Sequence, residues 1–536
     1  MTVNNIDDIE QTLQTLSREQ KIGQMLMARG FHRFPDDLQE LMSAGLVGGI
    51  QVNSHLNTRA EIELAQKSSP IPLLVAADME NGFSGVGFGG TNLPSQMALG
   101  AIGDEDAVRD WARISALEAR EFGVNFAFGP VLDMAIDPAA PMVSVRSFGS
   151  NPEEIIRLGV ALVRAYQEHG LHVSAKHFPG AGRSPVDNHI EMVALDCDRD
   201  TLDRNELRIY KELIARAGLS GIMSGHIMAP AIDPKYITTV SPSIIGTLSA
   251  MNFQGVLVTD SLAMKGIKGY VPEGELIAQA MAAGHHLILV DYNQSPKTQF
   301  RQMLAAVEQG VVSPEFVDES ARRILRAKQQ IIKNAPTGDF NPDKHQNAAL
   351  EMSRRAITLQ GDIRPWLAER QSHKTLFIIA SSNKITIDTA EIGGGGALES
   401  IAALLRQKFP NARIHGINEI PDPAEIEATL DQALEFDRIV FVAEAFTHSY
   451  KGTADFSRQL LALISGLRRK IAALALFGNP YAARHLPELP CVMFAYDGGR
   501  CVQAAAEALN GEFAPTGRLP VSFRHSFQAA LDRHGC

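Results

Sequence analysis

Leu171-His172-Val173-Ser174-Ala175-Lys176-His177-Phe178-Pro179-Gly180-Ala181-Gly182-Arg183-Ser184-Pro185-Val186-Asp187-Asn188-His189 is an apolar strand that runs into reactive side chains. Pro179, Gly180, Gly182 and Pro185 then forbid a helix and impose a long loop. Working outward, the same form recurs. Leu74-Val75-Ala76-Ala77 ends in Asp78, Ile222-Met223-Ser224-Gly225 in His226, Val256-Leu257-Val258-Thr259 in Asp260, and Leu287-Ile288-Leu289-Val290 in Asp291. Further apolar runs lie at Leu46–Val52 and Asn125–Val131. Amphipathic stretches fall between these runs, at Asp106–Glu121, Pro152–His169, Thr201–Ala217, Gly274–Ala283 and Thr298–Gln309. Strand-then-helix alternation of this kind predicts a parallel sheet clothed in helices, and its length fits a (β/α)8 TIM-like barrel. In such a barrel the carboxyl ends of the strands converge on one face, so these titratable groups gather round one pocket. Asp7–Met27 reads as helical.

Asp187 and His189 stand two apart, which in extended chain points both side chains the same way. A carboxylate beside an imidazole orients the ring and favours its charged form, the make-up of a general acid/base at neutral pH.

The chain has 536 residues, 45% hydrophobic and 21% charged, too long for one compact core. We expect a catalytic barrel over 1–335, a linker over 336–373 and a smaller doubly wound α/β sandwich domain over 374–536. Strands are expected at Thr375–Ala380, Arg438–Ala443, Ile471–Phe477 and Cys491–Ala495, with helices between them. Gly393-Gly394-Gly395-Gly396 reads as a turn, and Glu444–Lys451 is the one second-domain segment suggested for the pocket. The net charge of −11 and the lack of a basic patch point away from nucleic acid. Cys197, Cys491, Cys501 and Cys536 have neither metal-ligand nor disulfide-framework spacing, so no metal and no cofactor is expected. The first residues have no basic or apolar leader pattern and no run suits a bilayer, so the expected location is cytoplasmic, with no membrane partner. Gly85-Val86-Gly87-Phe88-Gly89-Gly90 contains a GxGxxG, but Thr91-Asn92-Leu93-Pro94 follows it where a dinucleotide site needs a helix.

Lys176-His177-Phe178-Pro179-Gly180-Ala181-Gly182, followed at four residues' distance by Asp187-Asn188-His189, resembles the signature of family-3 glycoside hydrolases, in particular bacterial β-N-acetylglucosaminidases of the NagZ type. Gly255-Val256-Leu257-Val258-Thr259-Asp260-Ser261 resembles the family's nucleophile motif, and Val145-Arg146-Ser147-Phe148-Gly149 its arginine loop. Ser224-Gly225-His226, Gly478-Asn479-Pro480-Tyr481 and Pro515-Thr516-Gly517-Arg518 extend the likeness. The resemblance implies that Asp260 is the nucleophile and that His189, held by Asp187, is the acid/base. It further implies that Asp78, Arg146, Lys176 and His177 bind sugar hydroxyls and that His226 lines the pocket. Gly180 and Gly182 read as hinges that let the acid loop swing.

Three positions depart from the pattern. Phe83 stands where the family has an arginine, and Ala181 and Asn188 also differ. The expected activity is a retaining, exo-acting β-N-acetylglucosaminidase working on peptidoglycan or amino-sugar fragments. The alternatives are a phosphorylase, a β-glycosidase of another sugar, and a saccharide-binding protein without turnover. Phosphorolysis is open because a histidine acid turns neutral on giving up its proton and repels phosphate less than a glutamate would.

Overall fold

The structure is a computed structural model. It describes residues 6, 8–29, 34–52, 58–86, 89–138, 140, 143–186, 192–268, 270–272, 274–334, 338, 340–381, 397–446 and 455–523. The chain divides into two compact units. The first comprises 1–91, 108–134 and 152–342; the second comprises 92–107, 135–151 and 343–536.

The first unit is an eight-stranded parallel sheet. Its strands are β1 (Leu26–Arg29), β2 (Gly49–Gln51), β3 (Leu74–Ala77), β4 (Phe126–Val131), β5 (His172–Phe178), β6 (Gly221–Ser224), β7 (Val256–Thr259) and β8 (Ile288–Leu289). They run in the order β8-β1-β2-β3-β4-β5-β6-β7, and a bridge from Val258 to Leu287 draws the two ends together into a barrel. Strands such as Leu74–Ala77 and Val256–Thr259 are buried at every position, as a sheet covered on both faces requires. The outer helices carry the expected signals. Pro314–Lys333 starts with Ser313 accepting from the Phe316 N–H, has Pro314 in its first turn, and turns Val317, Ala321, Ile324 and Leu325 inward.

β1 departs from expectation. Helix Ile9–Thr15 ends at Leu16, helix Arg18–Gln24 ends at Met25, and the strand starts directly after it. With no glycine or proline at the junction, the sequence shows no break there.

The second unit holds β9 (Thr358–Gly361), β10 (Thr375–Ser381), β11 (Arg413–Asn418), β12 (Arg438–Ala445), β13 (Ile471–Gly478) and β14 (Cys491–Phe494), in the order β9-β14-β13-β12-β10-β11. Only β9 is antiparallel to its neighbour. Successive residues of the central strands feed two separate cores. Leu376, Ile378, Phe441 and Leu474 pack in one; Phe377, Ile379, Val440 and Ala473 pack in the other. That two-sided burial is the signature of a doubly wound sheet. The stretch read as a linker contains regular elements. Helix Pro342–Ala356, strand β9 and helix Arg364–Glu369 lie within it. The signals read as a linker are local: Gly361 ends β9 at φ 95°, and Pro365 opens a helix. Gly393–Gly396 and residues 447–451 lie outside the described residues.

Candidate active site

The carboxyl ends of the barrel strands carry the polar groups. Asp78 follows β3, and its Oδ1 accepts from Lys176 Nζ at 2.8 Å while its Oδ2 accepts from Gln51 Nε2 at 2.9 Å. Lys176 also reaches Glu80 Oε1 at 2.6 Å. The Lys176 side chain is 3% exposed and that of Asp78 50%. A sunken ammonium thus supports a carboxylate that faces solvent, the disposition needed to grip hydroxyl groups.

His177, next on β5, is held by Asp133, which sequence reasoning missed. Asp133 Oδ2 meets His177 Nδ1 at 2.7 Å, and Oδ1 accepts from the main-chain N–H groups of His177 (3.3 Å) and Ala181 (2.8 Å). The Asp133 side chain is fully buried. One carboxylate therefore fixes both the imidazole and the root of the long loop.

Asp260 follows β7. Its N–H donates to the Ser224 carbonyl at 2.9 Å, and its Oδ1 accepts from the Ser261 N–H at 2.7 Å. Burial pushes its pKa up. The positive charges of His177, His226 and Lys176, with the Ser261 N–H, outweigh that and hold it below the ordinary aspartate value. Asp260 is thereby kept anionic, and Lys176 is the charge it shares with Asp78.

His226 is otherwise engaged. Its Nε2 lies 2.9 Å from the Ser261 carbonyl, which can only accept, and its Nδ1 lies 2.7 Å from Thr239 Oγ1. The ring steadies the main chain beside Asp260. Behind it, the Ser224 hydroxyl donates to His285 Nε2 at 2.7 Å, because His285 Nδ1 is committed to the Ala280 carbonyl at 3.0 Å. Burial lowers the pKa of His285 to about 4, against the pull of that carbonyl, and lowers His172 to about 4 as well. An unfolded histidine titrates near 6.5. Stability is therefore whole above about pH 6.5 and drains away as the pH falls from there to about 4, where the loss levels off at roughly 3 kcal/mol for each ring. Urea unfolding at pH 7 and at pH 4.5 is expected to show this loss, and a His285→Gln variant should lose less over the same interval. Equal losses would discount the assignment.

Asp187 and His189 lie outside the described residues, as does Asn188. The loop leading to them is tightly seated. At Gly182 an added Cβ would fall 1.6 Å from the Met134 carbonyl oxygen, and at Gly180 (φ 143°) it would fall 2.8 Å from Glu206 Cγ. Arg183 Nε donates to Glu206 Oε1 at 2.5 Å. These glycines permit close approach, which differs from the hinge role read from the sequence. A Gly182→Ala exchange must displace main chain. It is expected to cost about 2 kcal/mol or more in unfolding free energy and to lower activity as well, read by urea denaturation and by kcat/KM.

Phe83 is buried with its ring 5.4 Å from that of Phe122. The residue that replaces the family's arginine is thus core. Arg146 sits on the short turn Ser144–Arg146, in a segment that packs with the second unit. Asp291 closes its own turn: its Oδ1 accepts from the Asn293 N–H at 2.9 Å, and Lys268 lies 3.4 Å away.

Comparison with known proteins gives a consistent answer. Residues 17–327 match the family described as "Glycosyl hydrolase family 3 N terminal domain". The chain is 25% identical over 562 aligned positions to a β-N-acetylglucosaminidase/β-glucosidase of Cellulomonas fimi, covering 98% of this chain and 97% of that one. It is 30% identical to β-hexosaminidase A of Pseudoalteromonas piscicida, over 60% of this chain and 61% of the relative. The structure of a glycoside hydrolase family 3 β-N-acetylglucosaminidase from Paenibacillus sp. str. FPU-7 superposes with a TM-score of 0.81 at 29% identity, covering 95% of this chain and 99% of that one. The β-glucoside phosphorylase BglX bound to 2FGlc superposes at 0.82 with 25% identity, covering 98% and 96%.

Proposed function

Because the chain belongs to glycoside hydrolase family 3 and is a glycoside hydrolase, we propose that it is a retaining, exo-acting β-N-acetylglucosaminidase of peptidoglycan or amino-sugar turnover in the cytoplasm. The observation that carries this reading is Asp260: a carboxylate at a strand end, steadied by the Ser261 N–H and kept anionic by surrounding cations. In the first step its oxygen bonds to the anomeric carbon as the bond to the leaving oxygen breaks, and His189 supplies that oxygen with a proton. In the second, His189 takes a proton from water, the water oxygen bonds to the anomeric carbon, and Asp260 departs as carboxylate. Asp78, Lys176 and His177 hold hydroxyl groups of the terminal sugar, Arg146 contributes as the family motif implies, and Asp187 orients His189. His226 acts one layer back, through Ser261. The amino sugar is favoured by the relatives named for it. No described helix is long and apolar enough to cross a membrane.

Phosphorolysis is a second reading, favoured by the likeness to a β-glucoside phosphorylase across nearly the whole chain and by a histidine acid that leaves the pocket less negative. A panel of nitrophenyl β-glycosides, run with and without phosphate, tests both. Hydrolysis predicts free N-acetylglucosamine at the same rate in either buffer. A sugar 1-phosphate product would transfer the assignment to phosphorolysis, and preference for a glucoside would remove the acetamido sugar.

A further inference from the structure

Arg29 ends β1, on the same rim of the barrel as Asp78 and Asp260. Its register partner on β2 is Gln51, whose own partner on β3 is Ala76. Register partners in a parallel pair, and residues two apart in one strand, face the same side. Arg29, Gln51 and Asp78 therefore face one way. Gln51 already touches Asp78. Adjacent strands lie about 4.8 Å apart and Asp78 stands two residues past Ala76, so the Arg29 and Asp78 backbones are separated by about 12 Å, with a long side chain to reach across.

The guanidinium lies over the Tyr292 ring, 4.5 Å from its centroid. Stacking leaves the edge of the fork free for in-plane acceptors. None is supplied: Arg29 is partly buried, its Nε has no hydrogen-bond partner, and among the described residues its guanidinium has no ion pair. Asp37 and Asp291 line the same small cavity, of about 160 Å³. Both are committed elsewhere, Asp37 to the Ser295 hydroxyl at 2.5 Å and Asp291 to Asn293 and Lys268. A guanidinium N–H buried without an acceptor, as at Nε, is costly. The cavity has room for a few heavy atoms, the size of a carboxylate or phosphate.

We propose that Arg29 is an oxyanion-binding residue of the active-site mouth, and that the ligand it serves carries a carboxylate or phosphate group. This rests on reading the barrel mouth as the saccharide site. It adds a charged determinant on the arc of the rim between Asp260 and Asp78, where none was assigned. The acceptor is either a carboxylate carried by the substrate or free phosphate.

Calorimetric titration of the full chain separates the two sources. On an Asp260→Asn background, so that glycosides survive, inorganic phosphate is titrated, followed by two aryl β-glycosides that differ only in one carboxylate on the aryl group. Arg29→Met keeps the bulk over Tyr292 and removes the charge; Arg29→Lys keeps charge without the fork. The expected result is that one anion binds and that Arg29→Met weakens it roughly tenfold or more, the worth of a charge-assisted pair, while Arg29→Lys lies between. Loss confined to the carboxylated glycoside identifies a substrate carboxylate; loss confined to phosphate identifies the free ion. If neither anion binds more weakly to Arg29→Met, the proposal is overturned. If the Asp260→Asn protein still turns the glycosides over, the mechanistic reading fails instead, and the phosphate titration still judges Arg29.

Discussion

Asp260→Asn is expected to reduce turnover of an aryl β-glycoside by about 10⁴-fold or more, as loss of a group acting at the reacting atom does. Asparagine matches aspartate in shape and still offers an oxygen to the Ser261 N–H. What goes is the negative charge that His177, His226 and Lys176 sustain against burial. An amide is a poor nucleophile and does not balance positive charge on the sugar ring. Because the pKa of Asp260 lies below the usual aspartate value, its protonation leaves kcat/KM intact until the pH falls below the ordinary carboxylate range. Initial rates with the variant, alongside its urea denaturation midpoint, test the claim. A folded variant working near the wild-type rate would sink it.

The second large effect is expected at Asp133. Asp133→Ala leaves three donors facing a buried void: the His177 ring and the N–H groups of His177 and Ala181. Abandoning buried partners of a charged group costs roughly 3–5 kcal/mol. The more telling variant is Asp133→Asn. Its oxygen can serve the two main-chain N–H groups, but its NH₂ then confronts His177 Nδ1, which must turn from donor to acceptor. The ring is then held in the wrong tautomer beside Asp260. We expect near-normal resistance to urea with kcat/KM lower by about 10²-fold, the scale of a misplaced polar contact. Wild-type kcat/KM in Asp133→Asn would show that the carboxylate merely fills space.

Asp133 also measures how far the sequence could be read. Five strands show an apolar run ending in Asp, His or Lys-His. The run ending at Val131 repeats the form one step later, at Leu132 and Asp133, and that step is the signal for the carboxylate. Asp78, Lys176, His177 and Asp260 were legible because a parallel barrel gathers its strand ends. What lay beyond reading was commitment. Nothing in the string of letters says that both nitrogens of His226 are occupied, that Asp291 serves its own turn, or that Gly182 presses against the Met134 carbonyl. Those facts arise from segments far apart in sequence. The edge strand Arg413–Asn418 is illegible in the sequence for a different reason. Half-solvated, with Arg413, His415 and Asn418 among six residues, it carries none of the continuous apolar character of its covered neighbours.

The partition of the chain bears on synthesis. Residues 92–107 and 135–151 pack with strands that are translated only after residue 343. Emerging from the ribosome, the barrel can close once 342 is out, but two stretches interrupting its sequence must wait for partners not yet made. Met97, Ala98, Ala101, Ala135 and Ala140 are among the apolar side chains held in that delay. Cutting the gene between the two halves would make the wait permanent.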